Sequence, residues 1–207
     1  MSSGLLLSLD GLDGTGKSTQ CRLLADWLRA EGNAVVTCAD PGGTVVGSNI
    51  RELVLHQEMS VHCEALLFMA SRAQLVAEII RPALDAGHIV VSDRFLLANV
   101  VYQGHAGGLD PEQLWQIGRF ATDGIETDFT IVLDLPIEAA RARRKPSADR
   151  MENRDDAYHQ RVRDGFLGEA RRRPERIQIV DARGSVEAVQ EAIRREVARV
   201  LEAHSRA

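Results

Sequence analysis

The 207-residue chain is 44% hydrophobic and 27% charged, the proportions of a globular domain, which excludes a disordered or fibrous chain and leaves room for one domain spanning 1–207 rather than two. Lysine and arginine number 25 against 30 aspartates and glutamates, a formal charge of −5, so a general nucleic-acid or anionic-membrane binder is excluded and any phosphate must meet local basic groups. Cys21, Cys38 and Cys63 form no CxxC pair, the six histidines show no HxxxH or HExxH spacing, and no run approaches the length of a membrane span, which implies a reducing, cytoplasmic compartment without a dedicated histidine metal site.

Leu5 to Asp10 is a short apolar run ending in glycines, and Ser18 to Ala30 places Leu23, Leu24, Trp27 and Leu28 at helical spacing. Strand, loop and helix therefore follow in turn. Ala34 to Cys38 reads as a buried strand, and Pro41-Gly42-Gly43 as a loop before a helix carrying Ile50, Leu53 and Val54. A long helix is predicted over 64–86, broken or kinked at Pro82, with Gly87 ending it before a strand over 88–92. Phe95 to Gln103 is predicted helical, and Pro111 to Phe120 restarts a helix with Asp110 as its cap.

Phe129 to Leu133 is the next strand, and Pro136 opens a helix that runs into the basic stretch Arg141 to Arg150. A polar helix over 155–172, a strand over 177–180 and a closing helix over 186–201 complete the chain. Five apolar strands separated mostly by helices imply an α/β fold, a five-stranded parallel sheet with helices on both faces. Ligands in such folds sit beyond the carboxyl ends of the strands.

That edge carries Gly11-Leu12-Asp13-Gly14-Thr15-Gly16-Lys17-Ser18, a match to G-x-x-x-x-G-K-[ST] between a strand and a helix. Its glycines let backbone N–H groups curl around phosphate oxygens, Lys17 reaches the β and γ phosphates, and Ser18 is placed to ligate Mg²⁺. Thr19 follows at the helix start. Lys17 and Lys145 are the chain's two lysines, and a compact ammonium suits a tight phosphate cradle. The loop alone leaves GTPase, ATPase, kinase and nucleotide-gated switch open.

The rest of the chain resembles the thymidylate kinase family nearly end to end, through residues 10–19, Pro41-Gly42-Gly43-Thr44, Asp93-Arg94, Tyr102-Gln103-Gly104 and Asp149-Arg150-Met151-Glu152. The resemblance implies a P-loop nucleotide kinase architecture, ATP as donor, dTMP as acceptor, Mg²⁺, and a homodimer formed through helices. Asp93 and Arg94 end a strand and would serve Mg²⁺ and the transferring oxygens. Asp134 ends another strand and is the rival metal ligand, with the resemblance favouring Asp93. Phe68 and Arg72, spaced i,i+4, would stack on a base and donate to its carbonyl.

Asn99, Tyr102 and Gln103 share a helical face, offering an amide for the base edge and a phenol where a ribose 2′-hydroxyl would go. The family's pattern assigns Arg51, beyond Pro41, to the acceptor's phosphate and Asp13 to its 3′-hydroxyl. Arg141, Arg143, Arg144 and Arg150 cluster with Lys145 and, by the resemblance, would form a lid over about 141–152, supplying the charge that a phosphate loop without arginine lacks. Arg171 to Arg173 are read as solvated charges.

The expected reaction is in-line transfer of the γ-phosphoryl group of ATP to dTMP, giving ADP and dTDP. The alternatives are another nucleoside monophosphate kinase, acting on dUMP, UMP or CMP, and a nucleotide-gated binding protein. The chain departs from the family's pattern at Ala39-Asp40, where Arg-Glu is common, and at Ala98, where serine is common. The first departure is expected to remove a cation and shorten a carboxylate near the phosphates. Thymine differs from uracil by one methyl, worth about 1 to 3 kcal/mol in an apolar pocket, so some use of dUMP is expected.

Overall fold

The computed structural model describes residues 4–143 and 154–204, so Arg144, Lys145 and Arg150 of the expected lid lie outside the described residues. The chain runs β1 (Leu5–Gly11), α1 (Lys17–Ala30), β2 (Val35–Ala39), α2 (Val45–His56), α3 (Val61–Leu75), a π-helical stretch (Val76–Ile80) and α4 (Arg81–Asp85). It continues through β3 (Ile89–Asp93), α5 (Leu96–Asn99), a second π-helical stretch (Val100–Ala106), α6 (Pro111–Ala121) and β4 (Phe129–Asp134). Finally come α7 (Ile137–Arg143), α8 (Asp156–Arg172), β5 (Ile177–Asp181) and α9 (Val186–His204).

The five strands form one parallel sheet in the order β2-β3-β1-β4-β5. Successive strand side chains point to opposite faces. Leu5, Leu7 and Leu9 accordingly join a core with Leu24 and Leu28 of α1 and Ile193 and Val197 of α9. Leu6 joins a second core with Leu75, Ile80, Val90 and Phe95. Both faces are covered, as continuous apolar strands require. The register pairs Leu9 with Asp93 and Gly11 with Leu133, which sets the carboxyl ends of β1, β3 and β4 side by side.

Two helices differ from the sequence expectation. The segment expected as one helix over 64–86 starts at Val61 behind a Ser60 cap, widens into a π turn, and places Pro82 in the first turn of α4. The π turn directly precedes the proline's turn, where the i→i+4 ladder is already interrupted. The segment Phe95 to Gln103 is one α turn followed by a π stretch reaching Ala106. The i→i+5 spacing of a π turn rotates its residues relative to the α register. Asn99 and Gln103 therefore meet, while Tyr102 turns the other way, toward Asp13.

α8 secures this π stretch from outside. Tyr158 Oη donates to the carbonyl of Tyr102 at 2.9 Å, and Arg161 Nε to that of Ala106 at 3.3 Å. A Cβ at Gly165 would stand 2.8 Å from the Cβ of His105, so the glycine is what permits the approach. The Asp155 side chain caps α8 through the N–H of Tyr158 at 2.7 Å.

Candidate active site

The loop between β1 and α1 is shaped by backbone constraints. Gly11 has φ 134° and a Cβ there would lie 2.5 Å from the carbonyl oxygen of Leu133, so no other residue fits. α1 begins after Gly16 with no side-chain cap and no acidic residue in its first turn. Its first N–H groups are left for an anion, with the helix dipole favouring negative charge. Thr15 Oγ1 and Lys17 Nζ both donate to the Leu12 carbonyl at 2.8 Å. Burial, and then the nearby Arg94 charge, lower the pKa of Lys17.

Arg94 occupies the centre. Its φ of 69° is left-handed, a costly conformation for a non-glycine residue that is found where geometry matters to function. The strained backbone is held by Arg94 N donating to the Leu9 carbonyl at 3.0 Å and by Ser92 Oγ donating to the Arg94 carbonyl at 2.6 Å. The guanidinium then donates to the Gly11 carbonyl at 3.0 Å, to Asp13 Oδ1 at 2.5 Å and to Tyr102 Oη at 3.2 Å.

A carboxylate inside a phosphate loop thus has its partners. Asp13 also accepts from Tyr102 Oη at 3.2 Å and lies 3.6 Å from Lys17 Nζ. Burial alone would raise its pKa, but the charges of Arg94 and Lys17 with the two hydrogen bonds outweigh it and hold it well below the usual range.

Ser18 Oγ donates to Asp93 Oδ2 at 2.5 Å, bringing two hard oxygen donors to one point at the mouth of the loop. The rival, Asp134, is held by Arg163 through paired contacts of 2.7 and 2.9 Å. Arg163 was not singled out from the sequence, since nothing local links it to a strand 29 residues earlier. Among the described residues, no cluster of three or more histidine, cysteine or acidic side chains could hold a metal. A Mg²⁺ site here has the form in which water and phosphate supply most ligands.

Two open clefts meet at Arg94. The smaller, about 570 Å³, is lined by Phe68, Arg72, Asn99, Tyr102 and Gln103, with Leu55 and Ala98 as apolar wall. Phe68 is partly exposed to it. The larger, about 1980 Å³, is lined by the phosphate loop from Asp13 to Thr19 and by Ala182, Gly184, Ser185, Val186 and Val189. These last five belong to no motif in the sequence. Asp13, Asp40, Pro41, Arg51 and Arg94 line both clefts. Arg51 donates to the Pro41 carbonyl at 3.1 Å.

Asp40 has a partner that its place in the sequence does not show. It lines both clefts, is 3% exposed and accepts from Arg72 Nε at 2.6 Å, the two making a buried ion pair. Its short arm keeps it against the α3 face, and burial raises its pKa against the opposing pull of Arg72. Of the lid arginines, Arg143 Nη1 donates to the Ala182 carbonyl at 2.9 Å and lines the larger cleft. Arg141 lies 3.3 Å from Asp156 on the surface and lines neither cleft. Arg144 and Arg150 fall outside the described residues.

Comparison with known proteins places the site in context. A family model described as thymidylate kinase matches residues 9–193. A thymidylate kinase of Symbiobacterium thermophilum is 48% identical over 201 residues, covering 95% of this chain and 94% of that one. One from Exiguobacterium sibiricum is 45% identical over 209 residues, covering 99% of each. Among solved structures, thymidylate kinase from Ehrlichia chaffeensis superposes with a TM-score of 0.77 at 30% identity, covering 97% of this chain and 99% of that one.

Proposed function

Since the chain belongs to the thymidylate kinase family, and so phosphorylates dTMP to dTDP with ATP in dTTP synthesis, we propose that the larger cleft holds the donor and the smaller the acceptor. The observation that carries this assignment is the set of five residues lining both clefts, with Arg94 among them. A nucleotide-gated switch needs no second berth.

In this reading the N–H groups of the phosphate loop and Lys17 hold the β and γ phosphates, and Arg51 grips the acceptor phosphate from the opposite side. A phosphate monoester has a second pKa near 6, so the acceptor oxygen is already largely ionised at neutral pH and no general base is required. Catalysis is then alignment and neutralisation of two repelling anions. Arg94 serves the transferring group, and its tie to Asp13 fixes it before substrate arrives. Arg143, on the larger cleft, supplies further positive charge, with Arg144 and Arg150 of the expected lid, while Arg141 is engaged by Asp156 on the surface. Ser18 and Asp93 would hold Mg²⁺, which would neutralise phosphate charge there. Their oxygen chemistry and their convergence at one point fit that ion.

Phe68 stacks on the pyrimidine and Arg72 donates to its carbonyl. Asp13 takes the 3′-hydroxyl, and Tyr102 fills the space of a 2′-hydroxyl. The enzyme acts in the cytoplasm, a reading supported by free thiols at all three cysteines. No helix among the described residues is long and apolar enough to cross a membrane. It pairs as a homodimer, supported by the exposed Leu53 of α2, Leu66 of α3 and Phe120 of α6, the last 87% exposed, on helices that pack in sequence.

A panel of monophosphates tests the assignment. ADP formation that depends on dTMP, with weaker use of dUMP and little of CMP or UMP, is the expected result. Slow hydrolysis indifferent to any monophosphate would refute the acceptor berth, and light scattering at the monomer mass would refute the dimer.

A further inference from the structure

Gln20 ties two parts of the larger cleft together. It lies in the first turn of α1 and is 3% exposed. Its backbone N–H donates to the Gly16 carbonyl of the phosphate loop at 3.0 Å. Its side-chain Nε2 donates to the Val186 carbonyl, at the start of α9, also at 3.0 Å. Gln20, the phosphate loop and Val186 all line that cleft. One side chain therefore links the loop's helix to a segment 166 residues away in sequence.

The start of α9 has little else to hold it. Ala182 is buried and fixed to the sheet, its N–H donating to the Asp134 carbonyl at 2.8 Å, and Val189 is buried in the core with Leu24 and Leu28 of α1. Residues 183–188, between these two anchors, are all exposed. Among the described residues the other hydrogen bonds of this segment join near neighbours, Arg183 to Asp181 and Ala188, Val189 and Glu187 to Ser185. The Gln20 contact is the one among them that carries the position of α1 into the segment. The chemistry of the amide agrees with this task. A carbonyl only accepts, so the amino end of Gln20 must face Val186, and its Oε1 is left buried without a partner among the described residues. An unpaired buried acceptor costs stability, and an apolar side chain of equal length would fill the space without that cost. What the amide adds is the bond to Val186.

We propose that Gln20 is a positioning residue for ATP, which holds the first turn of α9 at the distance from the phosphate loop that the nucleoside of ATP needs. The inference rests on the larger cleft being the berth for ATP, and it goes beyond that reading by giving a task to a residue outside the phosphate-loop motif. The phosphates are held by the N–H groups of the loop and by Lys17, neither of which is bonded to the Gln20 side chain. The nucleoside extends past the loop toward Gly184, Ser185 and Val186, which line the same cleft. Loss of the tie leaves the grip on the phosphates intact and frees the start of α9 to drift, so the berth is no longer set before ATP arrives and the cost falls on the nucleoside.

The test compares Gln20→Met with the unaltered enzyme, each checked for native near-UV circular dichroism. Methionine matches glutamine in length and removes the N–H that reaches Val186. The KM for ATP is expected to rise by about three- to tenfold, the range of one neutral hydrogen bond, while kcat at saturating ATP and the KM for dTMP stay within about twofold. Inorganic tripolyphosphate, which offers the loop its phosphates without a nucleoside, is the second probe, and its inhibition constant against ATP is expected to stay within about twofold. Equal weakening of ATP and tripolyphosphate would place the effect of Gln20 on the loop, and an unchanged KM for ATP would make the tie idle. Either result overturns the inference alone, as does a rise in the KM for dTMP equal to that for ATP, the mark of a general loss of structure. If Gln20→Met fails to fold, Gln20→Leu carries the same prediction. Failure of tripolyphosphate to compete with ATP in the unaltered enzyme overturns the reading of the larger cleft with it.

Discussion

Asp10 is the residue at which the fold works against its own ionisation. It lies in β1 with no solvent exposure, its Oδ1 has no hydrogen-bond partner among the described residues, and its Oδ2 receives only a 3.4 Å contact from Ser8 Oγ. Burial pushes its pKa from 3.8 to about 7, with Arg94 and Lys17 too weak in opposition to reverse the shift. Between those two values the unfolded chain carries a carboxylate where the native state carries a neutral acid. The native state then binds more protons, so this group's contribution to stability falls as pH rises from about 4 to about 7 and levels off above. A gap of about three units at 1.36 kcal/mol each comes to about 4 kcal/mol. Asp10→Asn keeps the shape and cannot ionise. Urea unfolding of nucleotide-free protein in chelator, from about pH 4 to pH 8, is expected to show the variant gaining on the parent across that range by up to about 4 kcal/mol. Parallel stability curves over the whole range would refute the assignment of a buried neutral acid.

Two further substitutions probe the centre and its support. Arg94→Ala removes one of the two arginines that line both clefts and is expected to lower kcat by about a thousandfold while changing dTMP affinity less; unaltered kcat would remove Arg94 from the chemistry. Tyr158→Phe deletes the donor to the Tyr102 carbonyl and strands a buried acceptor. It is expected to cost about 1 to 3 kcal/mol in urea unfolding, and unchanged stability would show that the π stretch does not depend on α8.

The sequence by itself determined what a few consecutive residues can close. The phosphate loop needs only glycines, one ammonium and a helix start within eight residues, so strand, loop and α1 were legible as a unit. The i,i+4 step from Phe68 to Arg72 fixed a shared helix face in the same way, and Asp110 announced its helix through a local cap. Alternation of apolar runs with helical spacing was enough for a parallel sheet covered on both faces, because burial of both faces is what such runs require.

Tertiary structure decided every pairing that spans the chain. Asp93 and Asp134 are equivalent strand ends in sequence, and only the strand order sets Asp93 beside Ser18 and hands Asp134 to Arg163. Asp40 looked like a carboxylate for the phosphate end until the meeting of the β2 loop with α3 put it against Arg72. The π turn after Asn99, which splits Tyr102 from Gln103, has no signature in residue spacing, because it is held by side chains of α8. The physical reason is common to all three. A charge or polar group taken out of water must be satisfied by whatever group the fold brings within reach, and sequence distance says nothing about which group that is.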